Sequence, residues 1–339
     1  MNKEIKMEMS NPSPCSVCGN IHNNSKYAVS EMMFGFRDEF EYLECSKCGC
    51  LQIINVPLSL AKYYPSEYYS FKMPESNGSK LRRFFLGRQT AQFLNGNKLV
   101  SRMVCWLMPL SCEYFRVRGL LDIKLSKKSR ILDVGCGSGD LLFFLAEAGF
   151  RNPLGIDAYV ESDIIYGNGA KVRKATLQDI SGEYDLIMFQ HSFEHMPNQL
   201  ETLHRVNHLL AKNGVCLLNM PTVSSYAWKH YKENWVQLDA PRHLFIHSQD
   251  SIRMLACKAG FEVSKVVYNS LSFQFWGSIQ YQNDIPLKSN ESYGANPSKS
   301  MFSRTQIIEF QRQAKELNTI GQGDAAAFYL KHRKTNSRE

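Results

Sequence analysis

The chain has 339 residues, 44% of them hydrophobic, so it exceeds one typical domain and can bury a large core. No window approaches the roughly 18 uninterrupted apolar residues of a membrane span, and the charged first ten residues lack the apolar run of a secretion signal. Ten cysteines in such a chain argue for metal or free thiols in a reducing, cytoplasmic compartment rather than for disulfides. The net charge of +8 is concentrated in residues 81–130, which carry eleven Lys or Arg against two acids. That surplus suits a phosphate-bearing acceptor, a nucleic acid or an anionic membrane surface, and equally an ordinary solvated helical face.

Residues 1–56 read as a small module built on two cysteine pairs, Cys15-Ser-Val-Cys18-Gly19 and Cys45-Ser-Lys-Cys48-Gly49. Two residues between thiolates let one tight turn present both sulfurs to a single Zn²⁺, and the glycine permits the bend that follows. Cys15, Cys18, Cys45 and Cys48 are thus expected to close a structural, tetrahedral zinc site. The 26 residues between the pairs are strand-like and predict a hairpin. Cys50 breaks the spacing. Cys105, Cys112, Cys136, Cys216 and Cys257 are isolated and suit packing as small hydrophobes. Residues 57–128 form a linker or arm. Its tyrosines around Pro65 suit either a substrate pocket or packing between domains, and 80–121 turns helical and basic.

From 129 to 339 strands and helices alternate, which predicts a mainly parallel, doubly wound α/β sheet. Residues 130–139 read Arg-Ile-Leu-Asp-Val-Gly-Cys-Gly-Ser-Gly, a buried strand entering a glycine-rich turn. A helix with Leu141, Leu142, Phe144, Leu145 and Ala148 inward follows and stops at Gly149. Further strands are expected at 153–157, 171–176, 184–190, 215–219, 261–268 and 324–332. Asn198 and Glu201 carry capping-box character for a helix closing near Asn213-Gly214. Ser248 opens another, running to Ala259. About fifty residues, 271–323, form an insertion with aromatics first and a helix at 303–317, a candidate substrate lid.

The turn narrows the ligand. A dinucleotide fingerprint, G-x-G-x-x-G, uses a helix N-terminus to hold pyrophosphate. Here the third glycine arrives one residue early, and Asp140 behind it would repel a diphosphate. Asp133 is placed to meet a cation, and Asp157 lies where an acid usually accepts from ribose hydroxyls. A ligand with a ribose, no phosphate and a positive ammonium fits better than NAD.

With these features the segment resembles motif I of class I S-adenosylmethionine-dependent methyltransferases. The likeness continues through Leu-Gly-Ile-Asp (154–157), 184–190, His-Ser-Phe-Glu-His-Met (191–196) and 213–221. It implies a Rossmann-like sheet of seven strands with the last antiparallel. S-Adenosylmethionine is then expected against Asp133, Gly135, Cys136, Gly137 and Gly139, with Asp157 and Ala158 at the ribose and Leu177 and Gln178 at the adenine. Gln190 and His191, ending a strand, come nearest the methyl group. His191 is the first candidate base, its ordinary pKa suiting proton transfer near neutrality, and walling the pocket is its other reading. Glu194 and His195 suit fixing the loop onto the next helix. The segment 235–245 resembles a recurring Pro-Arg-His block of these enzymes, and His243 in it is the second candidate base, or a buttress.

A four-cysteine module before such a core, with the Tyr-Tyr-Pro stretch and the Gly-Asp-x-Ala-x-Phe-Tyr-Leu ending, is similar to bacterial sugar and polysaccharide methyltransferases. That likeness implies methylation of a hydroxyl on a nucleotide- or lipid-linked sugar, since the large C-terminal domain of C-methylating sugar enzymes is lacking. The competing readings are an RNA base methyltransferase gripping phosphates through the basic arm, and a cofactor-binding regulator without turnover.

Overall fold

The computed structural model describes residues 13–65, 118–120, 122–151 and 153–334. The tyrosines beyond Pro65, nearly all of the helical, basic arm and Cys105 and Cys112 lie outside the described residues. The chain begins with β1 (Ser25–Ser30), β2 (Glu39–Glu44) and β3 (Leu51–Ile53). It continues through β4 (Ile131–Val134), α1 (Asp140–Glu147), β5 (Pro153–Asp157), β6 (Ile164–Ile165), β7 (Lys171–Lys174), β8 (Tyr184–Gln190), α2 (Gln199–Leu209) and β9 (Leu210–Pro221). Then come α3 (Tyr226–Tyr231), β10 (Phe245–Ile246), α4 (Gln249–Lys258), β11 (Phe261–Tyr268), α5 (Phe273–Gln282), α6 (Arg304–Thr319) and β12 (Ala325–His332).

The larger sheet has the order β11-β12-β9-β8-β4-β5-β7-β6. β9, β8, β4, β5 and β7 run parallel, while β12 is antiparallel to both β9 and β11. This is the mixed, mostly parallel α/β sheet that the alternating pattern implies, reversed strand included. The count differs from seven. A two-residue strand, β6, pairs antiparallel with β7 as an eighth, too short and too exposed to register as an apolar run.

β4 lies at the centre, buried at all four positions because helices cover both faces. Leu132 and Val134 join one core cluster with Phe189 and Phe193, while Ile131 joins another with Leu142 and Leu145. Gly149 and Gly260 take positive φ where α1 and α4 end, and the Ser248 hydroxyl accepts from Ser251 N to cap α4.

Two boundaries differ from expectation. Asn198 makes no side-chain cap at α2, and that helix stops at Leu209, so that Asn213-Gly214 falls inside β9. The pairing explains it: Leu210 sits opposite Tyr184 and Val215 opposite Leu186, so the residues between bulge out and carry Lys212 and Asn213 to solvent. The 271–323 insertion is packed rather than open. Phe275 of α5 stacks on Phe310 of α6 with centroids 5.4 Å apart.

The smaller sheet has the order β1-β2-β3-β10, all antiparallel where paired. Its fourth strand comes from beyond residue 240, so the N-terminal module and the larger sheet share a segment. Among the described residues no helix is long and apolar enough to cross a membrane.

Candidate active site

The glycine turn follows β4 because Gly135, Gly137 and Gly139 all take positive φ (72°, 55° and 81°), which a side chain resists. Close approach demands glycine as well: a Cβ on Gly135 would stand 2.6 Å from Ser192 Cβ, and one on Gly139 would stand 2.4 Å from Val172 Cγ2. Asp157 at the end of β5 ties the turn down. Its Oδ2 accepts from Gly137 N (2.9 Å) and its Oδ1 from Tyr159 N (2.8 Å). Ser192, after β8, donates its hydroxyl to Val134 O (2.6 Å). The ends of β4, β5 and β8 are thereby bound into one rim.

Asp133 is buried beneath that rim, and its Oδ1 has no hydrogen-bond partner among the described residues. Burial, with the Asp157 charge adding to it, pushes its carboxyl up to about 8. An unmatched buried carboxyl below a cradle that Cβ atoms would fill suits a ligand bringing a positive charge. The other expected contacts are spread along the same edge. Cys136 lies under β5, where a Cβ on Gly155 would stand 2.4 Å from its sulfur. Ala158 and Gln178 are exposed, and Leu177 is buried in the core. Arg205 of α2 donates to the carbonyls of Leu177 and Gln178, anchoring that loop.

Beyond β8, His191 has φ +53° and its side chain is 45% exposed, the most accessible imidazole of the cluster below. Its Nε2 faces Asn219 Nδ2 at 3.5 Å, and its Nδ1 faces Glu194 Oε1 at 3.6 Å. Asn219 also donates to Gln190 Oε1 (3.0 Å) and accepts from Asn269 (2.8 Å). Sequence reading missed Asn219, although one amide inside the apolar run Val-Cys-Leu-Leu-Asn-Met is the signal that marks it.

Glu194 is fully buried with His191, His195 and His243 about it. Burial alone would push its carboxyl up, but the three imidazoles outweigh that and hold it at about 2. His243 is buried and its Nε2 is 3.9 Å from Glu194 Oε1. Burial and then the neighbouring His195 bring it down to about 4, so it is a neutral imidazole at pH 7. Below it Arg242, wholly buried, pairs with Asp239 at 2.6 Å and with Glu31 of the N-terminal module at 2.9 Å.

In that module the sulfurs of Cys15, Cys18, Cys45 and Cys48 all lie within 4.8 Å of one another. Cys15 and Cys48 are 3.5 Å apart, as are Cys18 and Cys45. Each pair sits on a turn closed by a glycine amide, Gly19 to Cys15 O and Gly49 to Cys45 O.

Residues 111–266 match the family model described as a methyltransferase domain. A search of the curated proteins found no match. Among solved structures the chain is similar to the cyclopropane synthase MmaA2 from Mycobacterium tuberculosis, at 15% identity, 65% of this chain, 94% of that one and a TM-score of 0.39. It is also similar to the mycolic acid cyclopropane synthase CmaA1 complexed with SAH and CTAB (17%, 73% and 93%, 0.40) and to the mitomycin 7-O-methyltransferase MmcR (9%, 72% and 60%, 0.40). The matched domain spans the glycine turn, Asp157 and the His191–Glu194 loop, and it settles the class: the chain is an enzyme, an S-adenosylmethionine-dependent methyltransferase.

Proposed function

We propose that the enzyme methylates a hydroxyl of a nucleotide- or lipid-linked sugar, with His191 as the base. The observation that carries the base assignment is the placement of His191 directly after β8, exposed, with buried Glu194 behind its Nδ1. The carboxylate orients the ring and favours Nδ1–H, which leaves Nε2 as the proton acceptor. Asn219 occupies that nitrogen at 3.5 Å and marks where an acceptor hydroxyl would stand. S-Adenosylmethionine, when bound, supplies an electrophilic methyl group on a sulfonium. The chain's own part is to hold and orient it: Asp133 toward the ammonium, Asp157 toward the ribose, and Gly135 to Gly139 leaving room for the methionine portion. His243 is too enclosed to reach an acceptor.

The sugar acceptor is supported by the four-cysteine module preceding the core and by the Pro-Arg-His segment. The thiolates suit structural Zn²⁺: a tetrahedron of Zn–S bonds of about 2.3 Å has edges of about 3.8 Å, close to the two sulfur pairs at 3.5 Å. Incubation with labelled S-adenosylmethionine and a panel of nucleotide sugars, glycans and RNA tests the acceptor. Label in a sugar is expected, and label only in RNA would replace this reading. His191→Gln is expected to lower kcat by about 10²–10⁴ with donor affinity kept. An unchanged kcat would remove His191 from the chemistry.

A further inference from the structure

We propose that Glu194, His195 and His243 bind one divalent transition-metal cation, at a site separate from the four thiols. A carboxylate oxygen of Glu194 and one ring nitrogen of each histidine lie within 4.8 Å of one another. Glu194 is fully buried, and neither of its oxygens has a hydrogen-bond partner among the described residues. Leaving both oxygens without a donor is costly, and a cation coordinated there answers that cost.

His191 Nδ1 stands 3.6 Å from Glu194 Oε1, beyond hydrogen-bond length, and the two histidines of the site do not supply a donor either. His195 Nδ1 is 2.8 Å from Arg242 O, and His243 Nδ1 is 2.7 Å from Gln237 O. A carbonyl only accepts, so each neutral ring places its proton there and leaves Nε2 a bare lone pair. Glu194 Oε1 therefore looks at a lone pair on His243 Nε2, 3.9 Å away, rather than at a donor. Two acceptors turned toward each other in a buried pocket repel one another and both attract a cation. Anchoring the far ring nitrogen on a backbone carbonyl is also how ligating histidines are oriented.

Spacing and donor type select the ion. Nitrogen and oxygen ligands at about 2.1 Å from a cation stand about 3.0–3.4 Å apart, so closing by less than about 1 Å between Glu194 and His243 completes the pair. Two imidazoles and one carboxylate suit Zn²⁺, Fe²⁺ or Co²⁺ in preference to Mg²⁺ or Ca²⁺, and three protein ligands leave a coordination position open. The site adjoins the turn that holds the methyl donor through Ser192, two residues before Glu194, whose hydroxyl donates to Val134 O at the start of that turn. It needs neither donor nor acceptor to fill.

Full-length protein loaded with a single equivalent of Zn²⁺, which the four thiolates take first, is titrated with Co²⁺ by calorimetry while the visible absorption is recorded. One further equivalent is expected, with the weak bands of nitrogen and oxygen coordination and without thiolate charge transfer. Glu194→Gln and His195→Gln should each weaken that uptake at least about tenfold while S-adenosylhomocysteine still binds, which reports that the variant is folded. Absence of uptake, uptake accounted for wholly by thiolate absorption, or equal uptake by wild type and both folded variants overturns the proposal. None of these outcomes bears on methyl transfer itself.

Discussion

Asp133 shows how one side chain can join stability, proton binding and ligand binding. An aspartate in an unfolded chain titrates near about 3.9, whereas burial beneath the turn pushes Asp133 up to about 8. Between those values the folded chain holds a proton that the unfolded chain has lost, so this residue makes stability fall as pH rises from about 4 to about 8 and contributes no slope above. A cationic ammonium placed against it would favour the carboxylate. Donor binding at pH 7 is therefore expected to release a proton, and affinity to rise with pH up to about 8. Calorimetry in two buffers of different ionisation enthalpy measures that release, and Asp133→Asn should remove both the release and the slope. Wild-type binding without proton release would place the ammonium elsewhere.

At the scale of elements, what was legible in the sequence is what is locally encoded. The run Ile131 to Gly139 specifies a buried strand and a turn within ten residues, and Phe261–Tyr268 follows directly from Gly260 and an apolar start. The four-cysteine cluster was legible for the same reason, each pair being one turn. What escaped depends on partners distant in sequence. The start of β9 at Leu210 is set by Tyr184 on β8, and β10 has only two residues, which form a strand because β3 offers them an edge. The histidine pocket escaped too, since nothing near Glu194 announces that His243 will stand over it. The insertion was half legible: α6 carries a full capping box, Ser303 accepting from Gln306 N and Gln306 accepting from Ser303 N. Ser303→Ala is expected to cost about 1 kcal/mol in chemical denaturation. An unchanged midpoint would mean that the stacking of Phe275 on Phe310 alone holds the helix in place.

Across the whole molecule, the segment 239–246 joins both sheets. Arg242 is buried between Asp239 and Glu31, Tyr42 donates to His243 O (2.8 Å), and β10 pairs with β3. A second tie runs from α4, where Ser248 donates to Cys48 O and Lys258 to Val17 O. One residue of each cysteine turn thus holds α4, which directly follows the segment that carries His243. If Zn²⁺ links the four thiolates, its removal frees two turns whose carbonyls receive those bonds, and the loosening should travel through β3 to β10. A buried arginine stripped of one partner is worth several kcal/mol, on the order of 3–5, so the effect should be large enough to read. Hydrogen exchange after treatment with a strong chelator is expected to rise at 41–53 and at 242–247 together, while β8 and β9 keep their protection. Faster exchange confined to 41–53 would show that Arg242 and its acids alone fix the His243 segment, and that the cysteine cluster serves only its own module.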